Sequence, residues 1–372
     1  MKETASIRLA DLVKKRVRQE IINKSAYKVL PSQGYIKLDA MESPYIWSDT
    51  VQAEWLSILQ GVELNRYPDA ACLNLCDEIR AWCELSDSTD VLLGNGSDEL
   101  IQMIIMTLGG PVLAPEPTFG MYKSITEAVG CKFNGVPLMD NIVLDGDQIL
   151  SKIKEYDPSC IFLAYPNNPP GNLFDYSVIQ NIIDSANGLV ILDEAYYPYC
   201  GKTFLHEISK NENLLVLRTF SKLGLAALRL GFLAGPQPWL KEINKVRLPY
   251  NINALTQATA HFALSKDDWF QRQAKKTCRE RARFKSRLQR FSEVRVYESD
   301  TNFILFRLIT KDSDVVFESL REQKILIKNM NGFDENLRDC LRVTIGAPEE
   351  NRNFFHALSI CLLYTSDAAD ER

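Results

Sequence analysis

Short apolar runs alternate along the first two thirds of the chain with longer segments whose apolar residues recur at helical spacing. Because these runs are apolar throughout, they are typical of strands buried on both faces of a sheet. Six strands are predicted in this way, at residues 91–93, 112–114, 160–165, 189–192, 214–217 and 231–234. Strands that alternate with helices predict an α/β fold whose large sheet is mixed and mostly parallel.

One predicted helix follows the first of these strands. Asp98 and Glu99 begin the helical pattern, which stops near Gly109 and Gly110. The two carboxylates suit the positive end of a helix. The loops that follow the predicted strands are therefore the places to look for a ligand site, since open α/β sheets bind ligands there.

The pattern of predicted strands and helices changes beyond about residue 264. Three further strands are predicted at 302–306, 325–327 and 341–345, with helices between and after them. A basic stretch at 275–290 carries apolar residues at helical spacing, which favours a solvated helix face over a nucleic-acid surface. We therefore expect a large domain at 40–262 and a smaller α+β domain with an N-terminal arm, made of residues 1–39 and 263–360.

The final segment, residues 361–372, resembles the translated read-through of a sequencing adapter. On that interpretation it cuts short a helix that begins near Glu349 and belongs outside any argument about the fold. The alternative is a genuine terminus without fixed structure.

Composition narrows the classes of function. The 372 residues are 46% hydrophobic and carry a formal net charge of -5, so no overall field attracts nucleic acid. The sequence offers no apolar stretch of membrane-spanning length and no signal-peptide pattern at its start, so we expect no membrane partner and a cytoplasmic location. Nine scattered cysteines without a CxxC pair, and three well separated histidines, give no reason to expect a metal site.

The most informative block runs from Arg218 to Gly231 and contains Lys222 between Ser221 and Arg229. A lysine in a small-residue loop after a buried strand, beside a guanidinium, suits an imine-forming lysine next to an anion clamp. The turn at Asn168 and the Asp193 segment lie upstream in the order of a pyridoxal-phosphate (PLP) enzyme of the aspartate-aminotransferase fold. We therefore predict PLP as the cofactor, with Lys222 as the base and acid that moves the substrate proton.

Two groups of residues are predicted to hold that cofactor. A phosphate cup is expected from Gly96, Ser97, Asp98, Thr219, Ser221 and Arg229, since glycine lets backbone N–H groups approach an anion at a helix start. The loop at 94–99 matches neither a dinucleotide fingerprint nor a P-loop. Asp193 is expected to keep the pyridine nitrogen protonated, Phe119 to stack on the ring, and Asn168 and Tyr196 to bind the phenolic oxygen.

The whole set of motifs resembles the histidinol-phosphate aminotransferases, which are fold-type-I PLP enzymes. The resemblance covers about residues 25–358 and rests on the Lys222 block together with segments 38–45, 65–69, 96–99, 117–122, 301–306 and 340–346. It implies transfer of an amino group from L-histidinol phosphate to 2-oxoglutarate, giving imidazole-acetol phosphate and L-glutamate in histidine biosynthesis.

The resemblance also implies a substrate site and a partner. Arg342 matches the arginine that binds the substrate anion, Tyr27 matches a tyrosine that helps to hold the phosphate, and Lys328 falls near a second basic position. Tyr67 would cross a homodimer interface to the neighbouring subunit's cofactor phosphate. An aromatic-amino-acid aminotransferase and an amino-acid-phosphate decarboxylase of the same fold remain alternatives.

Overall fold

The computed structural model describes residues 2–26 and 28–363. Its strands are β1 Ile36–Lys37, β2 Thr89–Gly94, β3 Val112–Glu116, β4 Phe133–Pro137, β5 Cys160–Ala164, β6 Leu189–Asp193, β7 Leu214–Thr219, β8 Gly231–Pro236, β9 Val294–Val296, β10 Phe303–Leu308, β11 Ile325–Leu326, β12 Lys328–Asn329 and β13 Cys340–Thr344. Its α-helices are α1 Lys2–Arg16, α2 Gln19–Ile22, α3 Asp49–Leu59, α4 Leu73–Trp82, α5 Ser97–Leu108, α6 Met121–Val129, α7 Gly146–Tyr156, α8 Tyr176–Ser185, α9 Tyr197–Cys200, α10 Gln237–Ile243, α11 Ala254–Leu264, α12 Asp267–Leu288, α13 Ser313–Glu322 and α14 Pro348–Leu363.

Seven of these strands form one large sheet in the order β2-β8-β7-β6-β5-β3-β4. The contacts among β3, β4, β5, β6 and β7 are parallel, whereas β8 pairs antiparallel with both β2 and β7. The sheet is therefore mixed and mostly parallel, as predicted. Since β8 alone reverses direction, the loops that follow β2, β3, β5, β6 and β7 lie at the same edge.

All six apolar runs predicted to be strands are strands of this sheet. The edge strand β4 was not predicted, because Asn134, Gly135 and Pro137 interrupt its apolar pattern. It forms nevertheless, since β3 offers it a parallel partner along its whole length. The predicted helix at Asp98 is α5, and it ends at Leu108, before Gly109, whose φ of +62° suits glycine.

Apolar side chains cover both faces of the large sheet. One face packs against α5, α6 and α10, and the other against α4, α7 and α8. The five residues of β5 and the five of β6 are all buried, which agrees with strands that lie between two helical layers. This double cover fixes the positions of the loops at the sheet edge.

The remaining strands belong to a smaller unit. The antiparallel sheet β12-β13-β10-β9 packs against α12, α13 and α14 through the cluster that includes Leu38, Phe306 and Phe354. The basic stretch lies on α12, where Phe284 and Leu288 face inward and Arg283 is exposed, so the predicted solvated helix face is confirmed. The strand predicted at 325–327 is instead two short strands on either side of Ile327.

Residues 36–38 contribute to this unit. β1 pairs parallel with β11, and Leu38 lies in the cluster of the small unit, whereas Lys24 forms an ion pair with Glu127 of α6 in the large unit. The domain boundaries at 39/40 and 262/263 stay a prediction. In the described part of the chain, no helix is both apolar enough and long enough to cross a bilayer.

The predicted helix near Glu349 is α14, and here the structure differs from the expected end at residue 360. α14 continues to Leu363, because the side chains of Cys361 and Leu362 are buried in the core of the small unit. The rest of the predicted tail, residues 364–372, lies outside the described residues.

Candidate active site

A cavity of about 300 Å³ opens at the edge of the large sheet where the parallel strands end. Loops after five strands and the segment at Ala40 form its wall. The predicted site residues that line it are Ser97, Asp98, Phe119, Asn168, Asp193, Tyr196, Thr219, Ser221, Lys222 and Arg229. Residues separated by more than 100 positions in sequence therefore meet in one pocket.

Lys222 lies in a short 3-10 turn directly after β7. Its Nζ donates a hydrogen bond to the carbonyl oxygen of Ala40 at 3.1 Å and lies 5.9 Å from the centre of the Tyr196 ring. Burial, together with the positive charge of Arg342, lowers the pKa of Lys222 to about 8. More of this amine is therefore unprotonated near neutral pH than in an exposed lysine, as suits a nucleophilic lysine.

Gly96, Asp98 and Arg229 meet where α5 begins. Arg229 donates a hydrogen bond from Nη2 to Oδ2 of Asp98 at 3.1 Å, while Oδ1 of Asp98 is buried and has no hydrogen-bond partner among the described residues. Gly96 has a φ of +84°, and a Cβ there would lie 2.5 Å from Nη2 of Arg229. The guanidinium can occupy this position only because residue 96 has no side chain.

The hydroxyl groups of Thr219 and Ser221 line the same cavity as Arg229. The Thr219 hydroxyl is 3.0 Å from the Ser221 hydroxyl and accepts a hydrogen bond from the Ser221 backbone N–H at 3.1 Å. Gly231 begins β8 behind them, and a Cβ at Gly231 would lie 2.8 Å from the backbone nitrogen of Ser97. The close packing of backbone at Gly231 brings the hydroxyls and the α5 start into one concave wall.

Asp193 ends β6 and is 5% exposed. Its Oδ2 accepts a hydrogen bond from the Tyr122 hydroxyl at 2.6 Å, and its Oδ1 accepts one from the Ala195 backbone N–H at 3.1 Å. Burial raises the pKa of Asp193 to about 6, although both hydrogen bonds act in the opposite direction. The carboxylate therefore fits a cationic partner, since a positive charge would offset its lost hydration.

Asn168, Tyr196 and Arg342 form a buried hydrogen-bonded chain. Asn168 donates from Nδ2 to the Tyr196 hydroxyl at 3.1 Å and accepts from Nη1 of Arg342 at 2.5 Å. Arg342 also donates from Nη2 to the carbonyl oxygen of Asp39 at 3.2 Å. These hydrogen bonds connect the large sheet to β13 of the small unit and place the Arg342 guanidinium beside the cavity.

Lys328 lies beside Arg342, opposite it in the register of β12 and β13. Burial lowers the pKa of Lys328, and the charge of Arg342 lowers it further. The two strands therefore present a pair of basic side chains at neighbouring positions. Such a pair suits a dianionic group better than it suits a neutral one.

Three further predicted residues have different outcomes. Phe119 lies in the cavity wall, where its ring packs edge-on against Tyr122 with centroids 5.5 Å apart. Tyr67 is 81% exposed, and its ring stacks on that of Tyr250 with centroids 4.4 Å apart. It is not part of the cavity wall within this chain. Tyr27 lies outside the described residues.

Sequence reasoning assigned no site role to several residues of the wall. Ala40, Met41 and Glu42 line the cavity, and Tyr122 binds Asp193. The segments that contain them, 38–45 and 117–122, were noted only as part of the resemblance. Phe119 precedes α6 and Tyr122 lies in its first turn, so no regular helical spacing relates the two and sequence reasoning had no signal for Tyr122.

A second cleft of about 400 Å³ lies close to this cavity. Its wall contains the buried ion pair between Glu194 and Arg218, whose Oε2 and Nη2 are 2.8 Å apart. Of the predicted site residues, only Thr219 contacts it. The ion pair joins the ends of β6 and β7, so it stabilises the two strands that carry Asp193 and Thr219.

The geometry of this pocket agrees with a comparison to known families. The model of the aminotransferase class I and II family matches residues 34–358. The chain belongs to this family. Because the match includes both units and all the candidate residues except Tyr27, the enzyme is a PLP-dependent aminotransferase.

Curated relatives match nearly the whole chain of this aminotransferase. It is 46% identical to histidinol-phosphate aminotransferase 2 of Nitrosococcus oceani, over 94% of this chain and 98% of the relative. It is 41% identical to the histidinol-phosphate aminotransferase of Polaromonas naphthalenivorans, over 93% and 96%.

A solved structure confirms the fold. The histidinol-phosphate aminotransferase of Sinorhizobium meliloti, in complex with pyridoxal-5'-phosphate, has a TM-score of 0.83 at 21% identity, over 93% of this chain and 97% of that one. The fold-type-I architecture predicted from sequence is therefore correct.

The residues of the pocket fit PLP. Arg229 supplies positive charge, and the Thr219 and Ser221 hydroxyls and the start of α5 supply hydrogen-bond donors to the same cavity, which suits an anion. Asp193, about 100 positions away, is a buried carboxylate suited to a cationic ring nitrogen. Lys222 lines the same cavity, and its lowered pKa favours the unprotonated amine that attaches to an aldehyde.

Proposed function

We propose that this enzyme transfers the amino group of L-histidinol phosphate to 2-oxoglutarate, giving imidazole-acetol phosphate and L-glutamate in histidine biosynthesis. The observation that carries the proposal is the combination of full-length similarity to enzymes of that name with a paired basic site at Lys328 and Arg342. One site must accept a phosphate and then a carboxylate, and a guanidinium binds both with the same planar fork.

The residues proposed to hold PLP form two groups, one for its phosphate and one for its ring. Arg229, Thr219, Ser221 and the start of α5 at Gly96, Ser97 and Asp98 would hold the phosphate. Asp193 would bind the ring nitrogen, Asn168 and Tyr196 the phenolic oxygen, and Phe119 would cover one face of the ring. When bound, PLP supplies the electron sink that stabilises negative charge at the substrate α-carbon.

Lys222 is the proposed catalytic base and acid. Its free amine takes the proton from the substrate α-carbon and returns a proton on the cofactor side. Its hydrogen bond to the Ala40 carbonyl and its lowered pKa support this role, since the first holds the amine in the cavity and the second increases the fraction of amine that is unprotonated.

Arg342 is the proposed anion-binding residue for both substrates, with Lys328 beside it. The hydrogen bond from Arg342 to Asn168 supports the role, because it fixes the guanidinium next to the proposed cofactor oxygen. Tyr27 is proposed as a further phosphate ligand on the basis of the resemblance alone.

We further propose that the enzyme is a homodimer and works in the cytoplasm. The 81% exposure of Tyr67 supports a role outside its own subunit, at the partner's cofactor phosphate. The nine free cysteines support a reducing compartment.

A comparison of amino donors tests the proposed substrate. We expect glutamate to form from 2-oxoglutarate most efficiently with L-histidinol phosphate, more slowly with phenylalanine and not with threonine phosphate. A preference for phenylalanine would favour an aromatic aminotransferase. Release of carbon dioxide from threonine phosphate would favour a decarboxylase.

Substitution of Arg342 tests whether one guanidinium binds the anionic groups of both substrates. We expect Arg342→Ala to raise KM for both histidinol phosphate and glutamate, because both anions use the same guanidinium. An increase for glutamate alone would show that the phosphate is held elsewhere. The exposed Arg338 offers a matched control, since its substitution removes an arginine from the same unit.

A further inference from the structure

Tyr122 makes the shortest side-chain hydrogen bond to the Asp193 carboxylate. Its ring is fully buried on α6, and its hydroxyl lies 2.6 Å from Oδ2 of Asp193, which is 71 positions further along the chain. Burial and the neighbouring Asp193 raise the pKa of Tyr122 well above its usual value, so the phenol stays protonated. The phenol is therefore a permanent hydrogen-bond donor to this carboxylate.

The ring of Tyr122 has little freedom to leave this position. It stacks on Phe162 with ring centroids 4.8 Å apart and planes at 14°, and it packs edge-on against Phe119. Phe162 belongs to β5, the strand next to β6. The sheet itself therefore holds the donor in place.

Apart from its two hydrogen bonds, the surroundings of Asp193 favour its protonated form. Burial is the largest influence, and the nearby carboxylates of Asp98 on α5 and Glu194 in the same turn add to it. The Ala195 backbone N–H is the other donor to Asp193, and the Tyr196 hydroxyl of the next turn is the other nearby phenol. Tyr122 is thus the side chain that opposes protonation of Asp193.

We propose that Tyr122 is a positioning residue, which holds the Asp193 carboxylate ionised and aimed at the cofactor's ring nitrogen. The proposal rests on the function proposed above, since it takes the ring nitrogen as the partner of Asp193. Tyr122 acts through Asp193 and does not contact the reacting atoms. Loss of its hydroxyl leaves the cavity wall unchanged in shape and leaves one oxygen of Asp193 without its donor.

The test measures Asp193 itself in the apoprotein. The infrared band of a protonated carboxyl group, identified by its loss in Asp193→Asn, is followed as a function of pH in the unsubstituted protein and in Tyr122→Phe. We expect the midpoint to rise by about one to two pH units in Tyr122→Phe, since a hydrogen bond to a charged group contributes that much. PLP should also bind about tenfold more weakly to this variant near neutral pH.

Tyr165→Phe is the matched control. Tyr165 is a buried tyrosine at the end of the neighbouring strand, and its ring packs on Phe204 on the other side of the sheet. Its variant removes a buried phenol without touching the Asp193 carboxylate. We expect its infrared midpoint and PLP affinity to match those of the unsubstituted protein.

Two results would overturn the proposal: an unchanged midpoint in Tyr122→Phe, or the same upward shift in Tyr165→Phe. The infrared measurement needs neither cofactor nor substrate. An unchanged midpoint therefore rejects the role of Tyr122 while leaving the aminotransferase reaction in place, whereas failure of the donor comparison above rejects the reaction while leaving this titration intact.

Discussion

At the scale of single residues, the proposed attachment of PLP to Lys222 depends on the protonation of its amine. The amine is buried beside Arg342, and both burial and that charge lower its pKa, to about 8. Only the unprotonated amine reacts with an aldehyde. The rate at which the apoprotein binds PLP covalently should therefore follow the titration of this one group.

We predict that this rate rises with pH and levels off above the lysine's pKa of about 8. Between pH 7 and pH 9 the unprotonated fraction increases from about a tenth to about nine tenths. Stopped-flow measurement of the visible absorbance of lysine-bound PLP checks this dependence. Lys222→Ala should give no such band.

The same measurement isolates the contribution of Arg342. Since its charge is the second-largest influence and lowers the lysine's pKa, Arg342→Ala should move the midpoint to higher pH. Arg338→Ala, whose side chain is 84% exposed, should leave the midpoint where it was. A downward movement in Arg342→Ala would show that its charge does not act on Lys222.

At the scale of elements, the turn between β2 and α5 shapes the proposed phosphate end. Gly96→Ala would force a Cβ to within 2.5 Å of Nη2 of Arg229 at a φ of +84°. We predict that PLP binds about tenfold or more weakly to this variant, because the displaced guanidinium loses a charge-assisted contact. Equilibrium dialysis of the cofactor measures the change.

Gly201→Ala is the control for backbone strain. Gly201 has a φ of +64°, yet no atom lies within 4 Å of the Cβ that the substitution would add. It therefore imposes left-handed strain without crowding an arginine. Equal losses of PLP affinity in both variants would mean that strain, and not the position of Arg229, accounts for the effect of Gly96→Ala.

The elements also show how far the sequence predicts the structure. Buried strands such as β5 and β6 could be predicted because uniformly apolar runs have one stable location. The edge strand β4 could not, since its Asn134 and Pro137 break the pattern and only its partner β3 makes it a strand. Local patterns determine elements whose environment is uniform, and tertiary contacts determine the others.

The candidate site follows the same division. That Lys222 and Asp193 would meet at the sheet edge could be predicted, because each lies at or just after the end of a buried strand. The hydrogen bonds of Tyr122 to Asp193 and of Lys222 to Ala40 could not, since they join residues 71 and 182 positions apart. Such pairings depend on how helices and sheets pack, which no local spacing records.

At the scale of the whole molecule, the proposed role of Tyr67 requires two subunits to build each site. A mixture of Lys222→Ala and Tyr67→Ala subunits tests this arrangement. In a mixed dimer, one site would combine the intact Lys222 of one subunit with the intact Tyr67 of the other. We predict that activity reappears after the two variants are unfolded and refolded together.

The fraction of sites restored should follow the fraction of mixed dimers, so it should be largest at equal amounts of the two variants. Each variant refolded alone is the control. Activity equal to the sum of the separate variants at every ratio would show that Tyr67 does not serve the neighbouring site.

The central claim concerns what the assembled site does to its amino donor. The most direct measurement is a single half-reaction: the visible absorbance of the PLP-loaded enzyme is followed after L-histidinol phosphate is added without an oxo acid. Conversion to the pyridoxamine form, faster than with phenylalanine and absent with threonine phosphate, is the predicted result. Faster conversion by phenylalanine, or no conversion by histidinol phosphate, would contradict it.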